Sequence, residues 1–130
     1  MCGIIPLRDL GIRQYLVQVM VHVLMTILTV QQIQKRLALV FQRHGISQAI
    51  LFGSYARGEP SSHSDIDLIL VKQTKQRFLD RYEGLLQDLF LALPGIAVDA
   101  LIYTPEEFET MRKKRFVARA VQEGRVIYES

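Results

Sequence analysis

Two aspartates one residue apart, Asp65 and Asp67, open an apolar run that continues to Val71. Side chains at i and i+2 of a strand share a face, so both carboxylates point the same way. Beyond them, Ile66, Leu68 and Leu70 line one face, while Ile69 and Val71 continue the face of Asp65 and Asp67. A strand apolar on both faces is a central strand covered on both sides. The chain must therefore build a sheet with helices packed against it. Ten residues separate Asp65 from Ser54, and the whole run reads GSYARGEPSSHSDIDL. Neighbouring carboxylates repel unless a positive charge lies between them, and a hard divalent cation with oxygen ligands meets that need. The Gly53-Ser54 turn offers backbone N–H groups and a hydroxyl to phosphate oxygens. Together these residues imply a metal-dependent site for a nucleoside triphosphate.

The flanking sequence supplies the other layers. Thr29 and Gln32 have capping-box spacing ahead of Ile33, Leu37, Val40 and Phe41, which recur at helical period, with Gly45 as the stop. Ile46 to Phe52 reads as a strand. Tyr55 to Gly58 is expected to begin a short helix, and the segment around Pro60 to be a polar loop. One helix is expected from Arg77 to Leu93, ended by Pro94-Gly95, then a strand from Ile96 to Tyr103. Thr104-Pro105-Glu106-Glu107 is a helix start, and that helix is expected to run to Glu123, with Gly124 as its stop and a short strand over Val126 to Tyr128. Alternating strands and helices indicate an α/β or α+β fold, a small mixed sheet flanked by helices.

The 130 residues suffice for one domain with a real core. A net charge of +3 permits an anionic ligand without pointing to nucleic acid. Cys2 is the sole cysteine, so no disulfide forms within the chain, which fits a reducing cytoplasm. Tyr15 to Val30 is strongly apolar, but Gln18 and His22 interrupt it. It lacks a small-residue cleavage signature and barely reaches the roughly 17 residues of a short membrane span. Read as a soluble segment, it fits an amphipathic helix or a valine-alternating strand. Residues 1–28 are expected to be an apolar extension, with Met25 an alternative start within it, and 29–130 the functional domain.

Asp99 interrupts the apolar strand Ile96 to Tyr103, where an unpaired carboxylate is costly. Either a backbone N–H caps it, or a neighbouring strand carries it to the Asp65–Asp67 pair. In the second case three carboxylates hold divalent metal, with Asp99 also able to take a proton from a nucleophile, a geometry suited to nucleotidyl transfer.

The Gly-Ser, ten-residue, Asp-x-Asp arrangement, with Ala56-Arg57-Gly58-Glu59 inside it and Asp99 on a later strand, resembles the minimal nucleotidyltransferases of the DNA polymerase β superfamily. The resemblance covers roughly residues 29–128. It implies a polymerase β-like palm fold with Asp65, Asp67 and Asp99 as catalytic metal ligands. Gly53, Ser54 and Arg57 would bind nucleotide, Mg²⁺ or Mn²⁺ would be the cofactor, and ATP the substrate. Stand-alone domains of this size resemble the antitoxins that transfer AMP to a tyrosine of a HEPN-domain toxin. A non-catalytic antitoxin acting by occlusion, and a small-molecule nucleotidyltransferase needing a second subunit, are the alternatives. Arg57 either reaches a phosphate or pairs with Glu59 to hold the loop. His63 reads as a loop residue, since Mg²⁺ prefers oxygen. The Arg112-Lys113-Lys114-Arg115 run reads as solvated helix surface, and Phe108, Met111 and Phe116 as core.

Overall fold

The computed structural model describes residues 11–17, 28–61 and 63–130. Residues 12–17 are helical and exposed; the remainder of the apolar stretch up to Ile27 lies outside the described residues. From Leu28 onward the elements run α1 (Val30–Arg43), β1 (Ile46–Phe52), β2 (Ile66–Lys72), a 3₁₀ turn (Leu79–Tyr82), α2 (Leu85–Ala92), β3 (Val98–Tyr103), α3 (Pro105–Met111), α4 (Arg115–Glu123) and β4 (Arg125–Glu129). The strands form one mixed sheet in the order β3-β2-β1-β4. β1 is antiparallel to both β2 and β4, and β2 is parallel to β3. The small mixed α/β sheet flanked by helices is the architecture the sequence implies.

The two apolar faces of β2 belong to different cores, as the residue pattern requires. Ile66, Leu68 and Leu70 pack with Leu37 and Phe41 of α1 and Leu85 and Leu89 of α2. Ile69 and Val71 pack on the opposite face with Phe108 of α3 and Val117 and Ala120 of α4. The capping box of α1 forms as the sequence predicts: the Gln32 N–H donates to Thr29 Oγ1 at 3.1 Å and the Thr29 N–H to Gln32 Oε1 at 2.8 Å. Thr104 and Glu107 repeat the device at α3.

Three expected elements differ. Tyr55 to Gly58 is a tight turn, not a helix: the Arg57 N–H bonds the Gly53 carbonyl and the Glu59 N–H the Ser54 carbonyl, closing the loop on itself. The expected helix from Arg77 to Leu93 breaks at Gly84, which has φ +74° and is the N-cap of α2. That break lets the preceding turn aim two side chains at the outer edge of β3. The Tyr82 hydroxyl donates to the Ala100 carbonyl at 2.8 Å and accepts the Ile102 N–H at 3.3 Å. Buried Arg81 bonds the Ile102 carbonyl at 3.1 Å and forks onto Glu107 at 2.6 and 3.1 Å. An open sheet edge is thereby covered, and β3 is pinned from outside.

The expected helix from Thr104 to Glu123 splits at Arg112–Lys114, with Lys114 extended. A continuous helix over those residues would run about 28 Å, whereas a six-residue strand spans about 20 Å. Breaking the helix lets Phe108, Val117 and Ala120 all reach the same sheet face. Arg112, Lys113 and Lys114 of the basic run consequently lie on the connecting turn, and Arg115 opens α4. Gly124 then leads into β4 with an extended φ of −84°, so it is not a left-handed stop. A Cβ there would meet the Ala120 carbonyl, Ile50 and the Leu51 carbonyl at 2.6–2.9 Å, and glycine is what lets the end of α4 sit on β1.

Candidate active site

The strand register gathers the acidic residues at one end of the sheet. Phe52 is paired with Asp67 across β1 and β2, and Asp67 with Asp99 across β2 and β3. A row Phe52–Asp67–Asp99 thus crosses three strands on the face covered by α3 and α4. Asp65 stands one residue before β2, exposed, on the same side by strand parity. Asp99, expected amid an apolar strand where an unpaired carboxylate is costly, is exposed and near the start of an edge strand. Desolvation therefore does not force a partner on it. Register is what brings it to Asp67.

Asp67 is the half-buried member, and burial pushes its carboxyl above the ordinary carboxylate range, with the charges of Asp99 and Asp65 pushing the same way and Arg57 opposing. Mutual repulsion of this kind is what a cation relieves. An all-oxygen donor set on a solvent-open edge fits a hard divalent ion. Among the described residues, no three acidic, histidine or cysteine side chains are already closed to metal-holding distance. The carboxylates are adjacent rather than locked together.

Gly53 ends β1 with φ +78°, and a Cβ on it would collide with the Asp67 carboxylate. The motif glycine therefore serves two ends: it makes the turn and admits the carboxylate against the backbone. Gly53 and Arg57 line a cleft of about 260 Å³ with Phe52, Phe116, Arg119 and Glu123. Ser54 is not among its lining residues and lies on the adjoining turn. Asp67 and Asp99 line a second cleft of about 510 Å³, together with Phe52, Leu101 and Phe116. Arg57 is 3.7 Å from Glu59 and 3.9 Å from Glu123. It thus ties the turn to α4 while half its side chain stays exposed. The guanidinium that pairs with Glu59 and Glu123 also lines the cleft.

The sequence reading missed the contribution of α4. Phe116, Arg119 and Glu123 lie at i, i+3 and i+7, one stripe of a helix, yet they are not apolar partners of the core. Phe116, expected in the core, is 62% exposed and stands edge-on to Phe52 at 6.0 Å. The only signal for it was its neighbour Val117, which fills the core position in its place.

The polymerase beta nucleotidyltransferase family matches residues 35–130. The chain belongs to that family. It is a nucleotidyltransferase. Over 86 residues, 66% of this chain and 82% of the relative, it is 35% identical to "Putative protein adenylyltransferase MJ0604" of Methanocaldococcus jannaschii. A second protein of that organism, "Putative protein adenylyltransferase MJ0435", is 30% identical over 72% of this chain and 97% of its own length. Among solved structures the fold is similar to a toxin–antitoxin crystal structure with AMP-PNP, at TM-score 0.55 and 23% identity, covering 75% of this chain and 73% of that one. It is also similar to a chain in the structure of tri-AMPylated Shewanella oneidensis HEPN toxin in complex with MNT antitoxin, at TM-score 0.51 and 21% identity, covering 78% and 74%. At these identities the structural likeness establishes the polymerase β-like fold. Among the described residues no helix is long and apolar enough to cross a membrane.

Proposed function

We propose that this nucleotidyltransferase moves AMP from ATP to a tyrosine of a partner protein, a HEPN-domain toxin that the modification silences. The observation that carries the reading is the Asp67–Asp99 register pair, with Asp65 beside it and Gly53 seated against Asp67. The names of the sequence relatives supply the protein acceptor, and the toxin–antitoxin neighbours supply its class. Residues 29–130 form the catalytic domain, with 1–28 an extension preceding it. A cytoplasmic setting, where ATP is abundant, goes with this reading.

Asp65, Asp67 and Asp99 would hold Mg²⁺ or Mn²⁺. When bound, such an ion neutralises the triphosphate and stabilises the departing pyrophosphate. The chain's own residues do the rest. The Gly53-Ser54 turn presents backbone N–H groups to the phosphates, and Arg57 adds a guanidinium at the cleft wall. The tyrosine oxygen attacks the α-phosphorus and the bond to the β-phosphate oxygen breaks. Pyrophosphate leaves, and the hydroxyl proton passes to Asp99, which is exposed and so open to an incoming acceptor. Catalysis of this kind rests on positioning and on charge stabilisation.

Intact-mass spectrometry of the co-expressed neighbouring protein, incubated with ATP, Mg²⁺ and this chain, is the test. A gain of one or more AMP units, absent with Asp67→Asn or after chelation by EDTA, is expected. No gain from a stable complex of the two proteins would refute transfer and leave occlusion as the mode of neutralisation.

A further inference from the structure

Phe116 is the residue that the fold does not need where it stands. Val117 and Ala120 supply the core contacts of α4, at 1% and 6% exposure. Phe116 instead projects to solvent at the mouth of the site. It lines both clefts, the one holding Gly53 and Arg57 and the one holding Asp67 and Asp99. Phe52 belongs to the Phe52–Asp67–Asp99 row, and its ring meets that of Phe116 near-perpendicularly, with 88° between planes. One turn further along α4, Arg119 is 79% exposed and leans 3.1 Å from Glu123, so the stripe carries a cation beside the ring. Phe116 is thus a solvent-open aromatic ring. It adjoins the groups suited to a triphosphate and lies on the boundary between their two clefts.

The geometry points to Phe116 as the platform on which the base of the nucleotide stacks, positioning the α-phosphate between the Gly53 turn and the aspartate row. This inference rests on the nucleotide-binding reading above. A π-face stacks on any base, so the platform orients the nucleotide with little choice between adenine and guanine. Such tolerance fits a cleft whose polar lining, Arg57, Arg119 and Glu123, is charged and mutually paired instead of arrayed to read a base edge. The acceptor is left to approach over the exposed Asp99.

The test compares binding of MgATP, MgGTP and magnesium tripolyphosphate to the full chain, by calorimetry, for wild type, Phe116→Ala and Phe116→Trp. Phe116→Ala is expected to weaken both nucleotides roughly tenfold or more, the loss typical of one stacked base, and to leave tripolyphosphate unchanged. Phe116→Trp is expected to restore nucleotide binding. Equal loss of nucleotide and tripolyphosphate would make Phe116 a structural support and overturn the inference. So would unchanged nucleotide binding, including the case where Phe116→Ala weakens only the complex with the partner protein. If wild type binds tripolyphosphate and nucleotides equally well, base stacking is refuted while the phosphate site stands. If it binds none of them, the nucleotide-binding reading itself fails.

Discussion

Gly53 and Gly58 form an internal control for the idea that the motif glycine admits a catalytic carboxylate. Both sit in the left-handed region, at φ +78° and +74°, so alanine at either carries the same conformational penalty of about 1–2 kcal/mol. They differ in what the new Cβ meets. At Gly58 there is nothing within 4 Å, whereas at Gly53 the Cβ runs into the Asp67 carboxylate. That carboxylate is the far end of a flexible side chain and can swing aside, so the collision adds little to the folding cost. It removes Asp67 from its place, and a displacement of about 1 Å in a catalytic group costs on the order of a hundredfold in rate. Gly53→Ala and Gly58→Ala are therefore expected to lower Tm by a similar amount, about 4–8 °C for a chain of this size. Only Gly53→Ala should reduce AMP transfer, by roughly a hundredfold. Differential scanning calorimetry and the transfer assay read the two effects separately. Near-wild-type transfer in Gly53→Ala, or an equal loss in Gly58→Ala, would refute the argument.

Asp65→Ala and Asp67→Ala are expected to abolish transfer while leaving the circular dichroism spectrum unchanged, since neither residue packs in a core. Gly124→Ala should destabilise by about 1–3 kcal/mol through overpacking against backbone that cannot move. Chemical denaturation measures this, and a neutral result would show that α4 can shift off β1. Glu107 is held down to about 2 from 4.5, first by its hydrogen bonds from Arg81 and then by the Thr104 N–H. A depressed carboxylate contributes stability that is fully present above about pH 4.5 and is lost as pH falls toward 2. The Glu107 side chain is 44% exposed, so solvent screening limits its contribution to about 1 kcal/mol. Urea titrations at pH 7 and pH 3 should therefore show a smaller stability difference for Glu107→Gln than for wild type; equal differences would sink the assignment. Arg81→Met should cost about 2–4 kcal/mol, because it strips Glu107 and the Ile102 carbonyl of their donor.

Local chemistry wrote much of this protein in one dimension. The capping boxes at Thr29 and Thr104, the two-faced strand from Ile66, and the Gly-Ser turn with its following Asp-x-Asp each depend on residues within a few positions of one another. Their physics is short-ranged, so their spacing alone reveals them. Asp99 is different. Its place in the chain says only that a carboxylate lies on a strand; the one-to-one register of β2 with β3 is what puts it beside Asp67. The outer edge of β3 is bonded in turn by Arg81 and Tyr82, two residues of an amphipathic stretch that reach it because the helix breaks at Gly84. Likewise no nearby breaker announces the turn at Lys114; the extent of the sheet face imposes it. Sequence by itself determined the strands, the glycine turn and the pairing of Asp65 with Asp67 on one face. Only the tertiary structure decided that a third aspartate joins it and that Phe116 stands open over it, because those facts follow from contacts between segments far apart in the chain, which no local pattern encodes.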